Sequence, residues 1–336
     1  MPPGLYFHHR SSVEHETGAH PENKARIPAI ENELARRDWL GWERREAPAV
    51  ETSQLERIHP AEHIEHIRAT SAAGGGWFDA DTVASAGSWD AAVHAAGGAC
   101  AVVDALMTGE APTAFAGLRP PGHHCETARP MGFCLFNSVA VAAQHALDAH
   151  GVERVAVFDW DVHHGNGTND IFHARRDVLY ISIHQSPLYP GSGPLRDVGS
   201  GDGEGYTVNL PAPPGAGEPV WLSLVQHVVS PILRSFEPGL ILVSAGFDAH
   251  RADPLAQCRL ETESFAKMAT HVASTARGLG VPFGAVLEGG YDLDALASSV
   301  AATLEAFGSD SAEPEDVASD ELTDNAAGVI RQYWPL

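Results

Sequence analysis

Cysteine is scarce in this chain. Its four cysteines among 336 residues (Cys100, Cys125, Cys134 and Cys258) form no CxxC pair and no dense framework. That argues against a disulfide scaffold and leaves reduced thiols in a cytoplasmic protein as the simplest expectation. No run approaches the ~18 continuous apolar residues that a membrane span needs. Met1 to Arg10 lacks a basic stretch followed by an apolar one, so no signal peptide is expected. Positive charge is short as well: 21 Lys and Arg face 44 Asp and Glu, a formal charge of −23. Such a balance argues against a nucleic-acid backbone as the main partner. It favours the approach of cationic small molecules or lysine-rich peptides, and solubility or adaptation to salt explains it equally well. Part of the acidity lies in Asp310, Glu313, Glu315, Asp316, Asp320, Glu321 and Asp324. Residues 309–336 therefore read as a solvated acidic tail ending in a short helix, after one domain over 1–308. There is no internal repeat and no convincing linker. Glycine and proline fall between apolar runs, as in a globular chain.

Strand and helix patterns alternate. Short apolar runs read as strands at Ala111 to Leu118, Arg154 to Asp159, Val178 to His184, Tyr206 to Leu210, Leu240 to Ala245 and Phe283 to Leu287. Helical patterns fall at Leu135 to His150, Glu218 to Phe236, Glu261 to Leu279 and Asp294 to Phe307. In the less regular N-terminal third they fall at Pro21 to Arg37 and Trp89 to Leu106. Continuous apolar strands separated by helices of this length predict a parallel sheet covered on both faces. Polar chemistry follows the strand ends: His123 and His124, then Asp159, Asp161 and His163, then His184, Asp248 and Tyr291. Ligands of open parallel sheets bind at that edge.

The segment Asp159-Trp160-Asp161-Val162-His163-His164-Gly165-Asn166-Gly167 is the richest. On an extended chain Asp159, Asp161 and His163 share a side, with Trp160 and Val162 opposite. An Asp and a His two apart can reach one ion, and Asp248, directly after the strongest apolar strand, supplies a third ligand. Two Asp and one His leave open positions, as catalytic zinc requires. The oxygen-rich set would also accept iron(II) or cobalt(II). Taken alone, Asp159 and Asp161 read more readily as turn or cap residues, and His163 as a surface histidine; it is Asp248 and the histidine pair at matching strand ends that favour the metal. His123 and His124, on the stiff Pro120-Pro121-Gly122 loop, offer a general base and a general acid beside such an ion. Asp159 and Asn166 are the candidates to orient them, one charged and one neutral, which would split their pKa values. Tyr291, behind Gly289 and Gly290, can donate to an oxyanion. Gly132-Phe133-Cys134 and Tyr189 would line an apolar channel, although Phe133 and Tyr189 also fit as core aromatics. Cys134 has no uncommitted histidine–carboxylate pair to activate it as a nucleophile.

These motifs, in this order, resemble the histone deacetylase superfamily, which has the arginase–deacetylase fold and includes acetoin-utilization proteins and acetylpolyamine amidohydrolases. The matching pieces are RPPGHH (119–124), GFCLFNSVAVAA (132–143), DWDVHHGNGT (159–168), YISIH (180–184), SAGFDAHRADPL (244–255) and LEGGYDL (287–293), with His20-Pro21-Glu22 near the start. The match is nearest to class II deacetylases and their bacterial relatives. The resemblance implies an α/β domain with an eight-stranded parallel sheet between helices. It implies zinc on Asp161, His163 and Asp248, and a catalytic pair His123 and His124 backed by Asp159 and Asn166, with Tyr291 as the catalytic tyrosine. Asn166 follows the class II pattern. Phe133 and Tyr189 match the walls of an acyl-lysine tunnel, Tyr189 in place of the more usual Phe. Gly132, Gly289 and Leu255 complete the substrate side, Leu255 at the rim. A structural potassium ion is implied near Asp159, the backbone of Asp161 and His163, Ser182 and the carbonyl of Ile183.

The expected activity is zinc-dependent removal of acetyl or another short acyl group from acyl-lysine side chains, with acetylpolyamines as the alternative substrates. A binuclear ureohydrolase would need more Asp and His ligands than are visible. A non-catalytic acyl-ligand binding protein would be expected to lose a ligand, a histidine or the tyrosine, and none is missing. A homo-oligomer is left open.

Overall fold

The computed structural model describes residues 3–309 and 313–336; Met1 and Asp310, which entered the readings above, lie outside the described residues. Ten strands form among them. They are β1 (Leu5–His8), β2 (Glu43–Glu46), β3 (Gly75–Trp77), β4 (Val83–Ser85), β5 (Thr113–Ala116), β6 (Val155–Asp159), β7 (Val178–Gln185), β8 (Thr207–Ala212), β9 (Leu240–Ala245) and β10 (Phe283–Leu287). Eight of them build one sheet in the order β2-β1-β5-β10-β9-β6-β7-β8, with every neighbouring pair parallel. β3 and β4 pair as a separate antiparallel hairpin.

Alternate residues of the central strands go to opposite faces, and both faces are apolar. Val155 and Val157 of β6 join one buried cluster with Leu240 and Leu242 of β9. Ala156, Phe158, Ile241 and Val243 join the other. This is why those strands read as unbroken apolar runs instead of alternating ones. Helices cover both faces. Ser88–Met107 is long and apolar enough by composition to cross a membrane, yet 78% of its apolar window is buried within the fold. It packs against Ser138–His150 and β5.

Several boundaries differ from the sequence expectation for local reasons. The helix expected from Leu135 starts at Ser138, because Asn137 accepts the Ala140 N–H and caps it. The helix expected from Pro21 starts only at Arg26. β1, β2 and the helix Ala61–Ala72 are additions. β2 is Glu-Arg-Arg-Glu on the sheet edge and largely exposed, so no apolar pattern announces it. The acidic end is not wholly solvated: Ala326, Ala327 and Ile330 of the helix Glu321–Ile330, and Trp334 beyond it, are buried in the main core.

A buried ionic network ties the N-terminal third to the carboxyl edge of the sheet. Glu22 is fully buried and pairs with Arg119 (Nη2 to Oε2, 2.6 Å) and Arg26 (Nη1 to Oε1, 3.1 Å). Arg26 also donates from Nε to the Gly290 carbonyl at 2.8 Å. Burial alone would raise the Glu22 pKa, but the two guanidinium groups overcome it and hold it at about 2. A depressed carboxylate contributes stability above its unfolded pKa and loses it as pH falls toward the folded value. Glu22→Gln, which strands two buried cations, is expected to cost about 3 kcal/mol or more at neutral pH. Denaturant unfolding at a series of pH values should show the difference from wild type shrinking from pH 4.5 down to about 2. A difference that stays constant over that window would show that the ion pairs contribute no pH-dependent stability.

Candidate active site

The candidate residues come together at the carboxyl edge of β5, β10, β9, β6 and β7. After β6 the chain does not stay extended. The Asp161 N–H donates to Asp159 Oδ1 (3.1 Å) and the His163 N–H to Asp161 Oδ1 (2.8 Å), so the chain coils through two side-chain-closed turns. The expected division of faces survives this coiling: Trp160 and Val162 are fully buried in the core, while His163 turns its ring toward the carboxylates.

Asp161, His163 and Asp248 offer three ligand atoms that all lie within 4.8 Å of one another. His163 Nδ1 stands 3.2 Å from Asp161 Oδ1 and 3.0 Å from Asp248 Oδ2. The carboxylates are held in turn by backbone N–H groups: Val162 to Asp248 Oδ1 (2.9 Å) and Gly289 to Asp161 Oδ2 (2.8 Å). A Cβ on Gly289 would lie 2.1 Å from Asp248 Oδ2, so only glycine allows this approach. Two buried carboxylates with no Arg or Lys partner among the described residues demand a cation. With protons alone to satisfy them, burial lowers the His163 pKa but the charges of Asp248 and Asp161 raise it to about 10. The donor set, two carboxylates and one imidazole around a common point, fits a divalent ion. Another buried grouping, His59, His63 and Cys125, does not. His59 Nε2 accepts the Asn137 N–H (3.0 Å) and its Nδ1 donates to the Thr127 carbonyl (2.9 Å), which leaves no lone pair.

His123 and His124 lie beside the trio, ring centroids 4.1 Å apart. His123 Nδ1 donates to Asp159 Oδ2 (3.0 Å), and His124 Nδ1 donates to Asn166 Oδ1 (2.8 Å). Both are buried, yet they are polarised in opposite directions. For His123 the cost of burial is outweighed by the charges of Asp159, Asp161 and Glu288, and its pKa rises well above the usual range. For His124 burial dominates, His123 and His163 add to it, and its pKa falls well below. With Nδ1–H committed to Asn166, His124 presents Nε2 as a neutral acceptor.

Phe133, Gly132, Tyr189, Leu255, Tyr291, His124 and His163 line one cavity of about 200 Å³. Gly132 and Phe133 both adopt positive φ (56° and 70°), a conformation that costs energy for Phe. A Cβ on Gly132 would strike the His124 ring at 2.4 Å, and Thr82 Oγ1 accepts the Phe133 N–H. Tyr291 packs edge-on against Phe133 (5.8 Å) and under the Arg26 guanidinium (5.2 Å). Gly289, expected at the substrate, sits against the carboxylates instead of among the cavity lining. Ser182 and Ile183 are buried, with Ser182 beside Asp159 in the sheet register.

Several contributors escaped sequence reading. Asp81 and Leu188 also line the cavity. Glu126 accepts from Asn166 Nδ2 (2.9 Å), and Asp253 accepts the Tyr291 N–H (2.7 Å). Asp81 sits in Phe-Asp-Ala-Asp, ordinary turn composition, and nothing local marks it. Asp253 stood inside a quoted motif, where its bond to a residue 38 positions away left no trace.

Residues 20–307 match the family model described as the histone deacetylase domain. The chain is 45% identical over 249 residues to a histone deacetylase-like amidohydrolase of Pseudomonas aeruginosa, covering 74% of this chain and 66% of that protein. It is 41% identical over 317 residues to a probable deacetylase of Methanothermobacter thermautotrophicus, covering 94% and 93%. Among solved structures, the HD domain of HDA15 superimposes with a TM-score of 0.92 at 34% identity, over 99% of this chain and 95% of that one. On the family match, these identities and the shared eight-stranded fold, the chain belongs to the histone deacetylase family.

Proposed function

We propose that the chain is a zinc-dependent deacetylase that releases acetyl or another short acyl group from acyl-lysine side chains. The observation that carries this reading is the opposite polarisation of His123 and His124 beside a buried Asp161–His163–Asp248 trio. A zinc ion on those three residues would supply Lewis acidity to the acyl carbonyl and to the attacking water. His124, neutral at Nε2, accepts the proton of that water and returns it to the leaving amine. His123 keeps its positive charge through Asp159 and stabilises the negative charge that develops. The Tyr291 hydroxyl donates to the tetrahedral oxyanion. Phe133 and Tyr189 hold the methylene stem, and Tyr189, 39% exposed, stands at the mouth. A potassium ion near Asp159, Ser182 and the Ile183 carbonyl would brace the turn after β6. Turnover of a fluorogenic acetyl-lysine amide, with one zinc per chain by elemental analysis, tests the reading. No turnover at full zinc occupancy would reject it.

The rim residue separates the two substrate classes. Leu255 is apolar and lines the cavity. A methylene stem suits it better than a second ammonium group does. The net charge of −23 would draw polyamines from a distance, but that field is screened beyond ~10 Å at moderate salt. Acetyl-lysine peptides should therefore show higher kcat/KM than acetylspermidine or acetylputrescine, and Leu255→Glu should shift the ratio toward the polyamines. A wild type preferring acetylpolyamines tenfold would assign selectivity to other acids, with Asp81 the first to replace.

A further inference from the structure

Glu288 follows β10 and is fully buried, and the reaction outlined above makes no use of it. Its Oε2 accepts two consecutive backbone N–H groups, Gly122 at 2.6 Å and His123 at 3.1 Å. Its Oε1 accepts from Ser244 Oγ on β9 at 3.3 Å. Among the described residues no lysine or arginine pairs with this carboxylate; Arg26 reaches its backbone carbonyl instead. Burial pushes its pKa up to about 7. A carboxylate kept in such a place is costly unless its bonds are needed.

Those bonds fall on the loop that carries the histidine pair. The opposite side of the loop is already closed: a Cβ on Gly122 would lie 2.5 Å from the Ser138 nitrogen and 2.9 Å from the Phe136 carbonyl. The loop therefore lies between the start of the helix Ser138–His150 and the Glu288 carboxylate. Without an acceptor at Oε2, two buried N–H groups would be orphaned, and the backbone under His123 would be free to shift toward other partners.

We propose that Glu288 is a positioning residue for the histidine pair: its carboxylate fixes the backbone on which His123 and His124 stand, and this reach outweighs the charge it adds to those of Asp159 and Asp161 around His123. This rests on the hydrolytic reading of the site. Three substitutions separate reach from charge. Glu288→Gln keeps an oxygen for both N–H groups, and its NH2 donates to Ser244 Oγ. Glu288→Asp keeps the charge but withdraws the acceptor by one methylene. Glu288→Ala removes both.

The expected result is that the Gln variant keeps kcat within about threefold, while Asp and Ala lose about 10- to 100-fold in kcat with KM little changed and zinc content intact. Backbone hydrogen exchange at Gly122 and His123 should accelerate in Asp and Ala and not in Gln. An Asp variant near wild type, or a Gln variant as impaired as Ala, would overturn the proposal in favour of a charge effect. Wild-type kcat in Ala would overturn it outright. If Ala does not fold, the order of Gln and Asp decides. If the wild type turns over no acylated amine, the hydrolytic reading fails, and the exchange rates still decide whether Glu288 holds the loop.

Discussion

Asp248→Ala is expected to abolish stoichiometric zinc binding at the proposed site and, with it, turnover. Asp248 Oδ2 faces His163 Nδ1 at 3.0 Å, and Oδ1 takes the Val162 N–H at 2.9 Å. Alanine removes one of the three proposed ligands and half of the negative charge that demands a cation there. Partners one step behind a metal ligand are worth roughly 10- to 100-fold in affinity or activity, and a ligand itself is worth more. Elemental analysis after dialysis should therefore find zinc and activity lost together. Full zinc occupancy in the variant would mean that the ion, if any, is bound elsewhere. The fold should tolerate the change, since the β9 core residues Ile241, Val243 and Ala245 are untouched.

Tyr291→Phe is the second large effect. The ring would keep its edge contact with Phe133 and its place under Arg26. One hydroxyl donor is lost. Burial and the Asp248 charge hold the Tyr291 pKa well above its ordinary value, so the hydroxyl keeps its proton and is able to donate it to an oxyanion. Loss of such a donor costs on the order of 3 kcal/mol, which is about 100-fold in kcat with KM little changed. Steady-state kinetics with zinc content measured in parallel would check this. A variant with near-wild-type kcat would make Tyr291 a wall of the cavity and nothing more.

The two effects differ in what they read. The first concerns whether the trio holds an ion, and the second whether a correctly loaded site stabilises a transition state. His124 separates the same questions again: it lies beside the trio but its Nδ1 is committed to Asn166, not to a carboxylate.

The sequence by itself determined the central sheet and the residues that leave its carboxyl edge. Runs such as Leu240–Ala245 and Phe283–Leu287 are apolar on both faces, and only a sheet covered twice makes use of that. Asp159, Asp161, His163, Asp248 and the His123–His124 pair were legible because each follows such a run within a few positions. The edge strands were not legible: β2 is charged and exposed, and β1 has four residues. Their pairing is decided by neighbours distant in the chain. The same holds for what tunes the site. Glu288 beneath His123, Asp253 on the Tyr291 N–H, and Glu22 between Arg26 and Arg119 act across separations of 165, 38 and up to 97 residues. A short-range pattern has no term for such bonds. The opposite polarisation of two adjacent histidines belongs to the tertiary structure too, because it depends on how many buried charges surround each ring and not on the order of residues along the chain.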